Sequence, residues 1–421
     1  MVNRDRMLDR LLRLIRVASP SRREARMAAA VSEELAALGL RAESDDAHTH
    51  FGGDAGNLIC RIPSPSQWLC HPVPLASRSG ANGIPRGIGM ATPSQREERG
   101  RVRVQPSADD LAGLPPLLLN AHLDTVEPGE GIEPQVVDGA LRAAGDTILG
   151  VDDKVGVTAI LEALEVLRER GLRHPPLEII FTVAEEVGLF GAKHLDYSAL
   201  SARVGFALDS SGPVGGIVVR APGEERIAAT IKGRAAHAGL APEEGVNAIA
   251  IASRAIAGMR LGRLDHETTA NIGTIHGGIA MNIVPDRVVI VGEARSHDPA
   301  KLRAQADHML ERFRVEAQAA GGEAEVQAEV LYERFVLGEE AAPVALARAA
   351  AAEMGLPVTL KSSGGGSDAN IFNARGIATA VLAVGGEHPH TSRETLPLDE
   401  LERLGELTVR LILRAAEMPA P

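Results

Sequence analysis

Apolar side chains at Met7, Leu8, Leu11, Leu12, Leu14 and Ile15 recur at helical spacing, so the chain opens on an amphipathic helix over residues 5–16. Ser19-Pro20-Ser21 interrupts it, and a second helix runs to about Leu38, ending near Gly39. Asn57-Leu58-Ile59 reads as a strand. The pattern then fails, and it returns at Leu117-Leu118-Leu119, a continuous apolar run of the kind a strand shows when both faces are buried. Residues 154–170 are helical by pattern, and Leu177–Val183 and Val204–Leu208 are again strands. Strands alternating with helices predict an α/β fold, a sheet with helices on both faces.

Past Gly215-Gly216 the pattern changes. A strand over about 225–232, a helix over 245–259, strands over 270–276 and 286–295, a helix over 299–319 and a strand over 323–331 make a compact α+β block. A helix over 341–354, a strand over 378–384 and a helix over 398–416 then resume the first style. The expected organisation is one α/β domain in two parts, 1–215 and 332–421, interrupted by a smaller α+β domain over 216–331. Within the first part, residues 63–106 hold seven prolines and mostly arginine charges, an irregular insertion between two strands. A partner- or anion-binding loop is the functional alternative for that stretch.

Composition narrows the function classes. A chain of 421 residues, 45% hydrophobic and 24% charged, has material for a large core and two domains. Forty-four Lys and Arg against 56 Asp and Glu give a net charge of −12, which disfavours nucleic acid and anionic membranes as partners. At 2% aromatic residues, a base-stacking platform is excluded as well. Cys60 and Cys70 are the only cysteines, neither a disulfide framework nor a metal knuckle, and both are expected to be reduced thiols. Arg4, Asp5, Arg6, Asp9, Arg10, Arg13 and Arg16 leave no room for a signal-peptide core, so a cytoplasmic chain is expected.

The candidate chemistry sits just past strands. The run 117–120 leads into Ala121-His122-Leu123-Asp124, where alternation points His122 and Asp124 to the same side. A ligating His commonly donates its other ring nitrogen to a carboxylate. Gly150-Val151-Asp152-Asp153-Lys154 precedes a helix, where acids either cap the helix or bridge cations. The strand 177–183 delivers Ala184-Glu185-Glu186-Val187-Gly188; of two adjacent carboxylates one can ligate a metal while the other takes a proton. Asp209-Ser210-Ser211-Gly212 ends the next strand, and His388-Pro389-His390-Thr391 follows the last one. Each motif alone has a structural explanation. Together, at the carboxyl ends of an open α/β sheet, two His and several carboxylates suit a divalent cation with mixed N/O ligation. Gly364-Gly365-Gly366-Ser367 matches no phosphate-cradling motif and reads as a sharp turn lining the same site.

The order HLD, GVDDK, AEEVG, LDSSG and a terminal HT resembles the di-zinc exopeptidases typified by peptidase T, relatives of glutamate carboxypeptidase and acetylornithine deacetylase. Ala236-His237-Ala238-Gly239, Asn282-Ile283-Val284-Pro285, Glu293-Ala294-Arg295-Ser296 and Gly365-Gly366-Ser367-Asp368-Ala369-Asn370 extend the likeness across the chain outside 63–106. The resemblance implies a phosphorylase/hydrolase-like mixed sheet interrupted by a lid/dimerisation domain. It implies two divalent ions, Zn2+ first, with Co2+ or Mn2+ as alternatives. Asp152 would bridge them, His122 and Asp209 would complete one position, and Glu186 and His390 the other. Glu185 would be the general base, Asp124 would orient His122, and His237 would help stabilise the oxyanion, in dimeric relatives at the neighbouring subunit's site. Arg295 matches an arginine that holds a substrate carboxylate; Asn271, Gly366, Ser367 and Asp368 are further substrate-contact candidates. The implied activity is aminopeptidase action on short peptides, with a carboxypeptidase or N-acyl amino acid deacylase, or a non-hydrolytic relative, as alternatives. The resemblance leaves room for a homodimer through the lid domain.

Overall fold

The computed structural model describes residues 1–64, 111 and 113–417. Leu177–Thr182, Leu117–His122, Val204–Ser210 and Ala378–Ala383 lie side by side in that order, all parallel. Their apolar runs are continuous because both faces are covered. Leu117, Leu119 and Ala121 pack into the main core, while Leu118 packs with Ile59, Ile180 and Phe372 on the other side. The main core is closed by the helices Arg4–Ile15, Ala25–Ala37, Val151–Arg170, Ala342–Glu353 and Leu398–Ala415. Helix Asp368–Ala374 covers the opposite face through Ala369 and Phe372. Leu58–Ile62 pairs antiparallel at one side and Gly216–Ala221 at the other, so the nine-stranded sheet is mixed, as expected.

The smaller domain is a five-stranded antiparallel sheet built from Gly223–Lys232, Gly262–Arg263, Thr268–Gly277, Arg287–Ser296 and Glu323–Tyr332. Helices Ala248–Ala257 and Pro299–Ala319 cover one of its faces. In Arg287–Ser296, Val288, Ile290 and Ala294 enter that core, and alternation turns Glu293 and Arg295 to the opposite face. The passage between the domains falls at Pro222, not at 215/216. Gly216–Ala221 still pairs in the large sheet, and Pro222, which has no N–H to continue a ladder, separates it from Gly223–Lys232.

A small three-stranded sheet, formed by Pro134–Val137, Ala140–Ala143 and Thr395–Pro397, matters for the site although its strands are too short to show periodicity. It anchors the end of the segment that carries His390. The Glu387 N–H donates to the Thr395 carbonyl at 2.9 Å and the Thr395 N–H returns to Glu387 at 3.0 Å. Of the two cysteines, Cys60 is a buried free thiol pushed up to about 12 by that burial; Cys70 lies outside the described residues. The irregular stretch expected over 63–106 also lies outside them, apart from Pro63 and Ser64. Among the described residues no helix is long and apolar enough to cross a membrane.

Candidate functional site

Three neighbouring parallel strands end at the same level, and each releases site residues there. His122 is the last residue of Leu117–His122, Asp209 the last but one of Val204–Ser210, and Glu185 and Glu186 follow Leu177–Thr182. Strands about 4.8 Å apart make such side chains neighbours without any loop having to reach far. Asp152 comes from the start of Val151–Arg170, where Asp152 and Asp153 have non-helical backbone angles and the peptide between them is cis. His390 arrives from the segment after Ala378–Ala383 and, at φ 61°, lies in the left-handed region.

Asp152 stands at the middle. Its Oδ1 is 3.1 Å from His122 Nε2, and its Oδ2 is 3.4 Å from His390 Nε2. On one side His122 Nε2 also lies 3.7 Å from Asp209 Oδ1; on the other, His390 Nε2 lies 2.9 Å from Glu186 Oε1. One carboxylate therefore faces both imidazoles, one through each oxygen. Ligand atoms of His122, Asp152 and Glu186, and those of His122, Asp153 and Asp209, lie within 4.8 Å of one another.

These groups fit cations. His122 donates its Nδ1–H to the Asp124 carbonyl at 2.9 Å, which leaves Nε2 as the nitrogen that faces the carboxylates. Glu186 Oε1 is buried, 2.9 Å from the His390 imidazole nitrogen. Without cations the site is filled with unbalanced charge. Burial pushes Glu185, Glu186 and Asp209 above the usual carboxylate range, Asp209 adding to the effect at Glu185. Burial would lower His122, but its contacts with Asp124, Asp152 and Asp209 outweigh this and hold it well above the ordinary histidine value. Asp152 and Glu186 raise His390 to about 10. Protons thus take the positions where positive charge is needed, and mixed N/O donors of this kind suit zinc or a related divalent ion.

An outer layer of acids pins the loops that carry the inner ones. The Asp124 carboxylate lies 3.5 Å from His122 Nδ1 and accepts the Glu185 and Glu186 N–H groups at 2.9 and 3.2 Å and the Ser21 hydroxyl at 2.7 Å. Its position serves the 185–186 turn as well as the imidazole. Glu24, fully buried, accepts the N–H of Ala184 at 3.0 Å and of Arg22 at 2.7 Å, and its carboxyl is pushed up to about 7 by burial and by Asp124. Asp153 accepts the His122 N–H at 3.2 Å and the Gly156 N–H at 3.1 Å. Glu394 accepts four N–H groups, those of residues 149–152, at 2.7–3.1 Å. Lys154, buried, ties the helix start to the Val17 carbonyl at 2.8 Å, and desolvation brings its ammonium down to about 7.

An open cleft between the domains gives access to Glu185, Glu186 and His390. Val126, Val187, Leu189 and Leu331 supply apolar wall, and Glu224, Glu293, Arg295, Tyr332, Gly365 and Gly366 the remainder. Arg295 is held by Glu293 at 2.8 Å and Glu224 at 3.3 Å. The Tyr332 hydroxyl donates to Glu224 at 2.5 Å and accepts the Gly366 N–H at 3.1 Å. The other candidates lie elsewhere. Ser367 is buried as the N-cap of Asp368–Ala374, and Asp368 is buried against Thr182 and Asn120, with Oδ1 unpartnered. Asn271 is exposed on the lid sheet opposite Glu293 and does not line the cleft. His237 is exposed on a lid loop away from this chain's cleft, its Nδ1 accepting the Gly239 and Leu240 N–H groups, each at 3.1 Å. His388 is exposed outside the cluster. Glu24 and Glu394 had no signal in the sequence beyond residue type, since they act on backbone amides of distant segments; Asp153 belonged to the acidic pair noted before the helix, where it accepts the Gly156 N–H.

The chain is 40% identical to the Bacillus subtilis protein YqjE over 417 residues, 99% of this chain and 100% of that one. It superposes on the crystal structure of aminopeptidase PepT from Bacillus cereus with a TM-score of 0.77 at 39% identity, covering 99% of each chain. It superposes on a tripeptidase from Staphylococcus aureus with a TM-score of 0.81 at 37% identity, covering 99% and 100%. Residues 118–414, a span that includes the whole cluster, match the model of peptidase family M20/M25/M40, and the chain belongs to that family.

Proposed function

We propose that this member of the peptidase family is an aminopeptidase of short peptides, working at a centre of two divalent cations, zinc first and cobalt or manganese as alternatives. The observation that carries the reading is Asp152, whose two oxygens face His122 with Asp209 and His390 with Glu186. In this reading the first pair and the second pair each hold one ion, and Asp152 is shared. The ions would polarise the scissile carbonyl and make a water acidic enough to attack at neutral pH.

The chain's own groups then divide the work. Glu185 belongs to neither ligand cluster, lies at the cleft and is buried, so its carboxylate is free to accept the attacking water's proton and pass it to the leaving nitrogen. Asp124 keeps Glu185 in place through its amide. Arg295 offers a guanidinium at the lid side of the cleft to a substrate carboxylate, in competition with Glu293. His237, with Nδ1 engaged as an acceptor, presents Nε2–H outward beside Leu240, Ile279 and Met281, which are 80%, 84% and 100% exposed. In our reading a second copy of the chain covers this apolar edge and receives His237 as a donor to its oxyanion. Light scattering that finds only monomers would remove that part of the proposal.

Arg295 also suits the carboxylate of an N-acyl amino acid, which makes a carboxypeptidase or deacylase the second reading. A tripeptide with a free amino terminus, its N-acetylated form and an N-acyl amino acid, assayed with one metal-loaded sample, separate the two. Hydrolysis of the free tripeptide is expected; cleavage of the blocked substrates alone overturns the aminopeptidase assignment.

A further inference from the structure

Glu394 is an acid of the site that touches no candidate ligand side chain, yet it is almost fully buried and both of its oxygens are used. Oε2 accepts the Leu149 and Gly150 N–H groups at 2.8 and 2.7 Å, and Oε1 accepts those of Val151 and Asp152, both at 3.1 Å. Four consecutive amides converge on one carboxylate because Gly150, at φ 71°, turns the chain into the left-handed region where a glycine is unstrained. The last of the four belongs to Asp152 itself. Glu394 also sits on the segment of His390, its own N–H donating to the Thr391 carbonyl at 3.1 Å, just before the strand Thr395–Pro397. One side chain therefore ties the loop that brings His390 to the loop that brings Asp152, across more than 240 residues of sequence.

We propose that Glu394 is a positioning residue: by gathering the amides of 149–152 it sets the Asp152 carboxylate midway between the imidazoles of His122 and His390, so that one oxygen serves each cation. The inference rests on the two-cation reading above. It depends on reach as well as charge. A shorter acid cannot meet four amides at once, and an amide offers one acceptor while pushing its NH2 against two donors.

The test is a titration of the metal-free full chain with Co2+, read by its visible ligand-field spectrum and by competition with a chelator. The parent is expected to bind two ions. Glu394→Gln and Glu394→Asp are each expected to fold, to bind cobalt about 10–100-fold more weakly, and to show a changed spectrum, as when an outer partner of a metal ligand is lost. Parent-like affinity and spectrum in both variants overturn the assignment. So does full recovery in Glu394→Asp, because charge alone would then suffice. If Glu394→Gln fails to fold, Glu394→Asp decides by the same readout; failure of both to fold makes Glu394 a folding residue and ends the proposal. A parent that takes up no cobalt overturns the two-cation reading and this inference with it, whereas equal binding by parent and variants overturns this inference alone.

Discussion

Glu185→Gln and Glu186→Gln alter neighbouring residues and should fail in different ways. Glu185 is 7% exposed, and burial, then the charge of Asp209, holds its carboxyl well above the ordinary range. Glutamine is nearly isosteric with glutamate and removes a buried charge that burial already disfavours, so the fold should change by no more than about 1 kcal/mol. Loss of a positioned base, by contrast, costs about 10²–10⁴ in rate. At 1.36 kcal/mol per decade that is ~2.7–5.4 kcal/mol on the barrier. Glu186 differs because its Oε1 lies 2.9 Å from His390 Nε2 and belongs to a ligand cluster with Asp152. Its replacement should weaken cation retention first and turnover as a consequence. Both variants, dialysed against limiting Zn2+, would be measured for metal content by plasma mass spectrometry and for initial rate on a free tripeptide. Glu185→Gln should hold the parent's metal with turnover reduced at least a hundredfold, and Glu186→Gln should lose metal. The assignment fails if Glu185→Gln keeps more than a tenth of the parent rate, or sheds metal as readily as Glu186→Gln.

Cation binding should also release protons. His390 is raised to about 10 by Asp152 and Glu186, so this pairing favours the metal-free fold fully below the unfolded histidine value of about 6.5 and fades as pH rises through 10. Its imidazole is half exposed, which screens the size of that contribution but not its sign. At pH 7.5 zinc must expel this proton; calorimetric titrations in buffers of different ionisation enthalpy should give different heats, and a buffer-independent heat would contradict the assignment. Gly366→Ala probes the cleft wall. A Cβ there would stand 2.3 Å from Tyr332 Cζ, so the ring must move and release its contacts with Glu224 and Gly366. We expect about 1–3 kcal/mol of destabilisation and a raised KM at unchanged metal content, measured by thermal unfolding and steady-state rates; a parent-like KM would argue against Gly366 as a substrate-facing wall.

What the sequence revealed and what it concealed divide along physical lines. Strands buried on both faces leave long apolar runs, so Leu117–His122 and Leu177–Thr182 were legible, and with them the fact that His122, Glu185 and Glu186 leave the sheet at its carboxyl edge. The lid strands showed through alternation, as in Val288, Ile290 and Ala294. Short elements did not show: Pro134–Val137, Ala140–Ala143 and Thr359–Ser362 each have four residues, too few for a period. The strand Gly216–Ala221 was not read from the sequence, and only its partners in the large sheet tell it apart from Gly223–Lys232. The inner acids and imidazoles could be found by type and position after a strand. Asp124 was found beside His122, but Glu24 and Glu394 could not be, because they act on backbone N–H groups 160 and up to 245 residues away, and amides carry no sequence signature.

The central claim is that Asp152 stands between two cations. Its most direct measurement is a crystal structure of the zinc-loaded protein with anomalous data at the zinc edge. The account predicts two peaks about 3.5–4 Å apart, one against His122 and Asp209, the other against Glu186 and His390, with one Asp152 oxygen on each. A single peak, or peaks away from Asp152, would contradict it.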